Sequence, residues 1–167
     1  MALREDQILR YSRQILLREV GGRGQQKLLD APVTLESASD VLDVAAAYLA
    51  ASGTPLIDQQ PHGGFLQHRS LESFAPDAVA GAPPKGWLGS ISAAASIDSA
   101  LFRVGVSNSG LVGVPAGVAW AGEPEGQGSG DSVTLGALAA LVVQRFVLGL
   151  ETSVVKVRHV DGRWLRE

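Results

Sequence analysis

Apolar residues recur at helical spacing near the start of the chain. Ile8, Tyr11 and Ile15 form one stripe, with Leu9 and Leu16 beside it. This spacing predicts a helix over residues 4–18. Arg10 and Arg13 lie three residues apart, so they would project from neighbouring points on one side of it. Gly21, Gly22 and Gly24 should end that helix, and residues 25–29 read as a second short helical piece. Residues 32–36 read as a strand. Residues 41–52 follow as an alanine-rich helix ending at Gly53, a residue type that closes helices. From Pro55 to Ser90 no period survives, because Pro55, Pro61, Gly63, Gly64, Pro76, Pro83, Pro84 and Gly86 keep interrupting it. Regular structure returns with a strand at 101–106 and an extended segment at 111–120. A Gly-rich acidic loop fills 122–131, and 135–150 form a long apolar helix. In that helix Leu135, Leu138, Leu141, Val142 and Phe146 make a core stripe. Its small residues Gly136, Ala137, Ala139 and Ala140 would let another element approach closely. Residues 154–159 and 163–165 predict a hairpin turning at Asp161-Gly162. The reading yields four to six strands and no internal repeat.

A length of 167 residues points to one domain. A chain of this size can form a core without a disulfide or metal staple. The absence of cysteine excludes a thiol nucleophile, a disulfide framework and Cys-ligated zinc. A net charge of −3 gives no global footprint for nucleic acid or an anionic membrane. The first six residues lack the apolar core of a signal peptide. The apolar run 133–150 is interrupted by Gln144 and Arg145, which suits a buried helix better than a membrane span. A soluble, cytoplasmic protein is therefore expected, with no nucleic-acid or membrane partner. Charge is uneven: residues 1–30 carry a net +2, residues 31–151 a net −7, and residues 152–167 a net +2. A basic arm on an acidic body can dock on a partner's acidic body, although a solvated helix face gives the same pattern.

Other chemistry is weakly signalled. His62 and His68 lie near Asp58 and Glu72, but the spacing matches no metal motif and surface histidines account for it. His159 is equally bland. Ser107-Asn108-Ser109-Gly110 lacks the glycines of a nucleophile elbow and reads as a turn. Trp87, Trp120 and Trp164 are dispersed and form no stacking platform.

Arg10-Tyr11-Ser12-Arg13-Gln14-Ile15-Leu16-Leu17, followed by Gly21-Gly22-Arg23-Gly24-Gln25-Gln26-Lys27-Leu28-Leu29, is a specific motif. It resembles the opening of the ThiF/MoeB/HesA family, adenylyltransferases that activate ubiquitin-like and sulfur-carrier proteins. The similarity continues through Pro32-Val33-Thr34-Leu35 and through residues 45–53. It returns at 135–140, Arg145 and Gly149, and in the closing strands at 154–166. The resemblance implies an α/β fold: a truncated, Rossmann-like three-layer domain with an irregular middle and a C-terminal helix plus hairpin. It divides a single domain, 1–167, into an N-terminal helical arm (1–30), a remnant of the first β-α-β unit (31–57), an irregular span (58–100) and C-terminal strands and helix (101–167).

The departures from the family pattern shape the functional expectation. The family's Gly-x-Gly-x-x-Gly loop, which brings backbone amides to ATP phosphates, falls on Ser37-Ala38-Ser39-Asp40-Val41-Leu42. Its glycine positions are Ser37, Ser39 and Leu42. Ser37 with Asp40, and Ser39 with Asp43, resemble capping boxes with Asp in place of Glu. Asp40 and Asp43 set carboxylates at the positive end of the helix, where a triphosphate would meet like charge. ATP is therefore expected not to bind. The acidic ribose ligand has only Asp58 as a nearby candidate, and Asp58 reads more readily as a turn residue. The zinc-binding cysteines and the acceptor cysteine are missing, so no zinc is expected.

What the resemblance retains is the arm. In the family the second arginine of this motif reaches across the dimer into the neighbour's nucleotide site, as an arginine finger does. Arg13 matches it and Arg10 matches the first arginine. A structural role for Arg13 at a dimer contact competes with that reading. The leading expectation is a catalytically inactive relative working through protein–protein contacts made by the arm and by the face of the 135–150 helix. Its partners would be a second copy, an active relative that receives Arg13 in trans, or a ubiquitin-like carrier protein. The alternatives are an adenylyltransferase with an altered nucleotide site and a small-molecule-binding module that reuses the old cleft.

Overall fold

Alanine dominates one face of the helix that follows the first strand, and small side chains let helices pack at close range. In the computed structural model this helix and the long C-terminal helix lie directly against each other. The structure describes residues 2–31, 33–35, 39–58, 89–92, 102–107, 110–115, 118 and 131–167. In chain order the elements are α1 (Glu5–Arg10), α2 (Ser12–Ile15), α3 (Gly21–Leu29), β1 (Val33–Leu35), α4 (Asp40–Ala51) and β2 (Leu56–Asp58). There follow β3 (Gly89–Ser92), β4 (Phe102–Ser107), β5 (Gly110–Pro115), α5 (Ser132–Leu148), β6 (Val155–Val160) and β7 (Arg163–Arg166).

The described strands form one seven-stranded sheet in the order β2-β1-β3-β4-β5-β6-β7. The first four positions run parallel and the rest antiparallel. The parallel part has the topology of an open α/β sheet. From β1 the chain passes through α4 to β2 on one side, then resumes at β3 on the other. Val104 pairs with Gly113, and Gly113 faces Val142 and Phe146 of α5, so this face of the sheet carries the helices. Val112 and Val114 point to the opposite face and are buried too. The middle of the sheet is thus covered on both sides, as in a three-layer arrangement. One cluster joins Val33, Leu49, Leu56, Val104, Leu111, Leu135, Val143 and Val155 across α4, α5 and the sheet.

Local chemistry sets the helix ends. Asp131 accepts a hydrogen bond from the Thr134 amide at 2.8 Å and caps α5. Hydrogen bonds from the Thr134 side chain and amide hold the Asp131 carboxyl below its ordinary pKa. Gly149, with φ of 76°, closes α5 in a Schellman motif, its neighbour Leu150 donating to the Arg145 carbonyl at 2.9 Å. Asp161 and Gly162 both take positive φ in the β6–β7 turn, as the Asp-Gly pair predicts.

Several expectations are corrected. The 4–18 helix is two pieces, broken at Tyr11, whose side chain is 1% exposed. Its ring lies against Gly53, where a Cβ would stand 2.8 Å away. Gly21, Gly22 and Gly24 do not end a helix but open α3. A Cβ at Gly24 would come within 2.9 Å of Leu148, so close contact with α5 overrides helix propensity. The described residues hold seven strands rather than four to six, because β2 and β3 fall in the stretch where the pattern fails. β3, Gly-Ser-Ile-Ser, has one apolar residue and is specified by pairing with β1 and β4 on either side.

Beyond the end of α5, Glu151 is buried and meets Arg166 at 2.6 Å and Arg145 at 3.6 Å. Ser153 donates to its other carboxylate oxygen at 2.9 Å. Burial raises the Glu151 pKa, but the Ser153 hydrogen bond and the two guanidinium charges outweigh it and leave the group below its ordinary value. The stabilisation is therefore complete above the ordinary glutamate pKa and is lost as pH falls through the lower, folded-state value.

Two outcomes follow. A Cβ at Gly136 would stand 2.6 Å from both the Val41 carbonyl oxygen and Val44 Cβ. Gly136→Ala should therefore destabilise by about 1–3 kcal/mol in urea unfolding. Glu151→Gln should be less stable than the parent at neutral pH, with the difference shrinking as acid protonates Glu151, as urea midpoints across a pH series would show.

Candidate functional site

In an open α/β sheet the ligand crevice lies outside the carboxyl ends of the strands, where the strand order reverses. Here that point is between β1 and β3, and α4 begins beside it. Ser39 is the N-cap of α4, and its hydroxyl accepts from the Leu42 amide at 3.2 Å. The Asp43 amide donates to the Ser39 carbonyl at 2.9 Å. Leu42 is 2% exposed and packs in the core, at the position where the family's loop has its third glycine.

Asp40 and Asp43 both lie in the first turn, Asp40 exposed and Asp43 buried. The capping-box expectation for Ser39 and Asp43 needs correction: the residue receiving the cap is Leu42, and Asp43 stands one position further on. Asp43 is thus a buried carboxylate of the first turn rather than the reciprocal partner of a box. Ser37 lies outside the described residues. A hydroxyl already serves as the local acceptor, and two carboxylates occupy the turn where incoming phosphates would need free amides. These groups do not fit a polyphosphate.

Asp58 ends β2 opposite Leu35 in the parallel register, so it is a strand residue and not a turn. Among the described residues no group of three or more His, Asp or Glu side chains could hold a metal ion. His62, His68, Glu72, Trp87, Trp120 and residues 122–130 of the acidic loop lie outside them. No described helix is long and apolar enough to cross a membrane.

The arm is positioned by contacts that the motif alone does not reveal. Gln14 donates to the Ala51 carbonyl at 3.3 Å, and the fully buried Gln25 donates to the Ser52 carbonyl at 2.8 Å. Both satisfy carbonyls at the C-terminal end of α4, which a helix end leaves without intrahelical partners. Tyr11 seals the same end against Gly53. Arg10 and Arg13 fall on successive short helices rather than on one face of a continuous helix. The Arg10 guanidinium lies 5.9 Å from the Tyr11 ring centroid, within cation–π range. Arg13 is exposed and makes no hydrogen bond or ion pair with another described residue. The exposed apolar residues of the arm are Ile8, Leu9, Leu16 and Leu17, with Leu16 85% exposed.

The small residues of the 135–150 helix, expected to let another element approach closely, are met by α4 of the same chain. Gly136 abuts α4, and Ala139, Ala140 and Val143 are buried in the shared core. Gln14 and Gln25 lie in the arm motif, but the motif does not reveal their partners, which are 37 and 27 residues away. The pattern did not single out Glu151, because its ion pair with Arg166 forms only in the fold.

Adenylyltransferase and sulfurtransferase MOCS3 of Mus musculus is 40% identical over 72 residues, covering 43% of this chain and 14% of that protein. The Anopheles gambiae protein of the same name is 49% identical over 51 residues, covering 30% of this chain and 12% of its own length. Over these segments the chain shows a distant, partial similarity to the ThiF/MoeB-like adenylyltransferase superfamily. It spans only a small part of these relatives' length. No family model matches it. Among solved structures, the one titled "Crystal Structure of SeMet PaaA" superposes with a TM-score of 0.57 at 13% identity, covering 99% of this chain and 74% of that one. At that identity the likeness speaks to fold alone: the α/β arrangement is a truncated Rossmann-like one.

Proposed function

We propose that this chain is a non-catalytic relative of the ThiF/MoeB-like adenylyltransferases that works through protein–protein contacts. The observation carrying this reading is the α4 N-terminus, where Ser39 caps the helix and Asp40 and Asp43 hold its first turn. Side-chain acceptors and negative charge stand where a nucleotide-binding relative needs glycine amides. The chain does not bind ATP productively by itself.

Arg13 is its functional residue. An exposed guanidinium on an arm fixed to α4 by Gln14, Gln25 and Tyr11 is presented in a defined place, which lowers the entropy cost of docking. In a heterodimer with an active relative, Arg13 enters the partner's nucleotide site and stabilises phosphate charge in trans. Arg10, held near Tyr11, orients the arm rather than reaching the partner's phosphates. The exposed Leu9, Leu16 and Leu17 supply apolar contact area beside that guanidinium. The assembly works in the cytoplasm, and a ubiquitin-like carrier protein is the substrate of the active subunit.

The chain would be co-purified from its host, and adenylation by the recovered complex followed as pyrophosphate exchange. Arg13→Ala should lower that rate by at least about a hundredfold, within the range lost with a trans-acting arginine, while leaving the complex assembled. Unchanged exchange would overturn the role of Arg13. Millimolar or tighter ATP binding by the isolated chain in calorimetry would overturn the non-catalytic reading.

A further inference from the structure

At the antiparallel end of the sheet, away from the β1–β3 crevice, α5 and the β6–β7 hairpin line a partly open pocket of about 200 Å³. Leu138, Leu141 and Val142 of α5 line one wall, at the spacing that places them on one helix face. Val157 and Trp164 line the other, since Val157 pairs with Arg166, and Trp164 lies two residues before Arg166 on the same face of β7. The Trp164 ring is backed by His159, their centroids 4.8 Å apart. A dry apolar cavity of roughly 150 Å³ admits benzene, so this pocket has room for a single ring with a short substituent.

The rim is charged and unbalanced. Arg145 and Arg166 face the single carboxylate of Glu151, which leaves a net positive charge beside the apolar walls. The Arg145 Nε–H is buried without a hydrogen-bond acceptor, and the nearest Glu151 oxygen, at 3.6 Å, is too distant to serve. An unsatisfied buried donor is costly, and an acceptor brought by a ligand would relieve it. Glu151 is already engaged by Arg166 and Ser153, so it is not free to close this gap.

We propose that this pocket is a binding site for a small aryl carboxylate, its ring against Leu138, Val142 and Trp164 and its carboxylate on Arg145 and Arg166. The apolar walls supply affinity and the two guanidinium groups select the anion. The site shares no residue with the α4 N-terminus or with the arm, and it stands whatever the role of Arg13.

The test is an NMR titration of the full chain with phenylacetate, following the Trp164 indole N–H signal assigned by its loss in Trp164→Phe. A saturable shift is expected, with phenethylamine binding at least about tenfold more weakly, because it brings the wrong charge to the same rim. Arg145→Met should weaken phenylacetate about tenfold. Leu141→Trp, at a half-exposed position that tolerates bulk without disturbing the core, should abolish the shift by filling the mouth. Absence of a saturable shift with phenylacetate would overturn the site. So would equal binding of the amine, or full affinity in a folded Leu141→Trp variant.

Discussion

The closest approach of α4 and α5, at Gly136, is the constraint on which the rest of the structure depends. Only a residue without a Cβ fits there, because the Val41 carbonyl and Val44 already occupy the space. That contact brings the parallel and antiparallel parts of the sheet to a common core, with Leu49 of α4 and Leu135 of α5 in the same buried cluster as Val33 and Val155. Alanines at 45, 46, 50, 139 and 140 extend the close contact along both helices. A core built this way relies on proximity more than on large side chains, which explains how a sequence so poor in aromatic residues forms one.

The two ends of α4 carry different consequences. At the N-terminus, the Ser39 hydroxyl and the carboxylates of Asp40 and Asp43 meet the helix's own electrostatic demand. A helix end supplied in this way has little to offer an external anion. At the C-terminus, the carbonyls are met by amide side chains from the arm, reaching across more than 25 residues of sequence. The arm is therefore part of the folded body, and the exposed guanidinium of Arg13 has a fixed origin. The arm segment whose motif carries the family resemblance also serves a structural purpose here, independent of any nucleotide.

The readable elements share a property: their determinants are local. α4 and α5 show long apolar periods and end in residues whose chemistry closes helices, Gly149 in α5 and the Ser52-Gly53 turn after α4. The Asp161-Gly162 turn is specified by the two residues that form it. Elements that escaped the pattern depend on neighbours. β2 and β3 are short, and their strand character comes from parallel pairing with β1. The glycines of α3 argue against a helix on propensity, yet Gly24 is what lets α3 reach Leu148. The break at Tyr11 reflects burial of its ring against Gly53, a contact that no window of sequence around Tyr11 contains.

The candidate site divides along the same line. The residue types at 39, 40 and 42 already set a helix start without glycine and with an acidic first turn, because side-chain bulk and carboxylates act through local sterics and charge. The sequence also determined the arginine-bearing arm motif and the α/β class. Tertiary structure alone decided that Asp43 is buried, that the small-residue face of α5 serves α4 rather than a partner, and that Glu151 stands between Arg145 and Arg166. Each of these depends on which distant residues become neighbours. Burial and ion pairing are properties of position in the fold, whereas helix periods, turns and caps are written within a few residues of where they act.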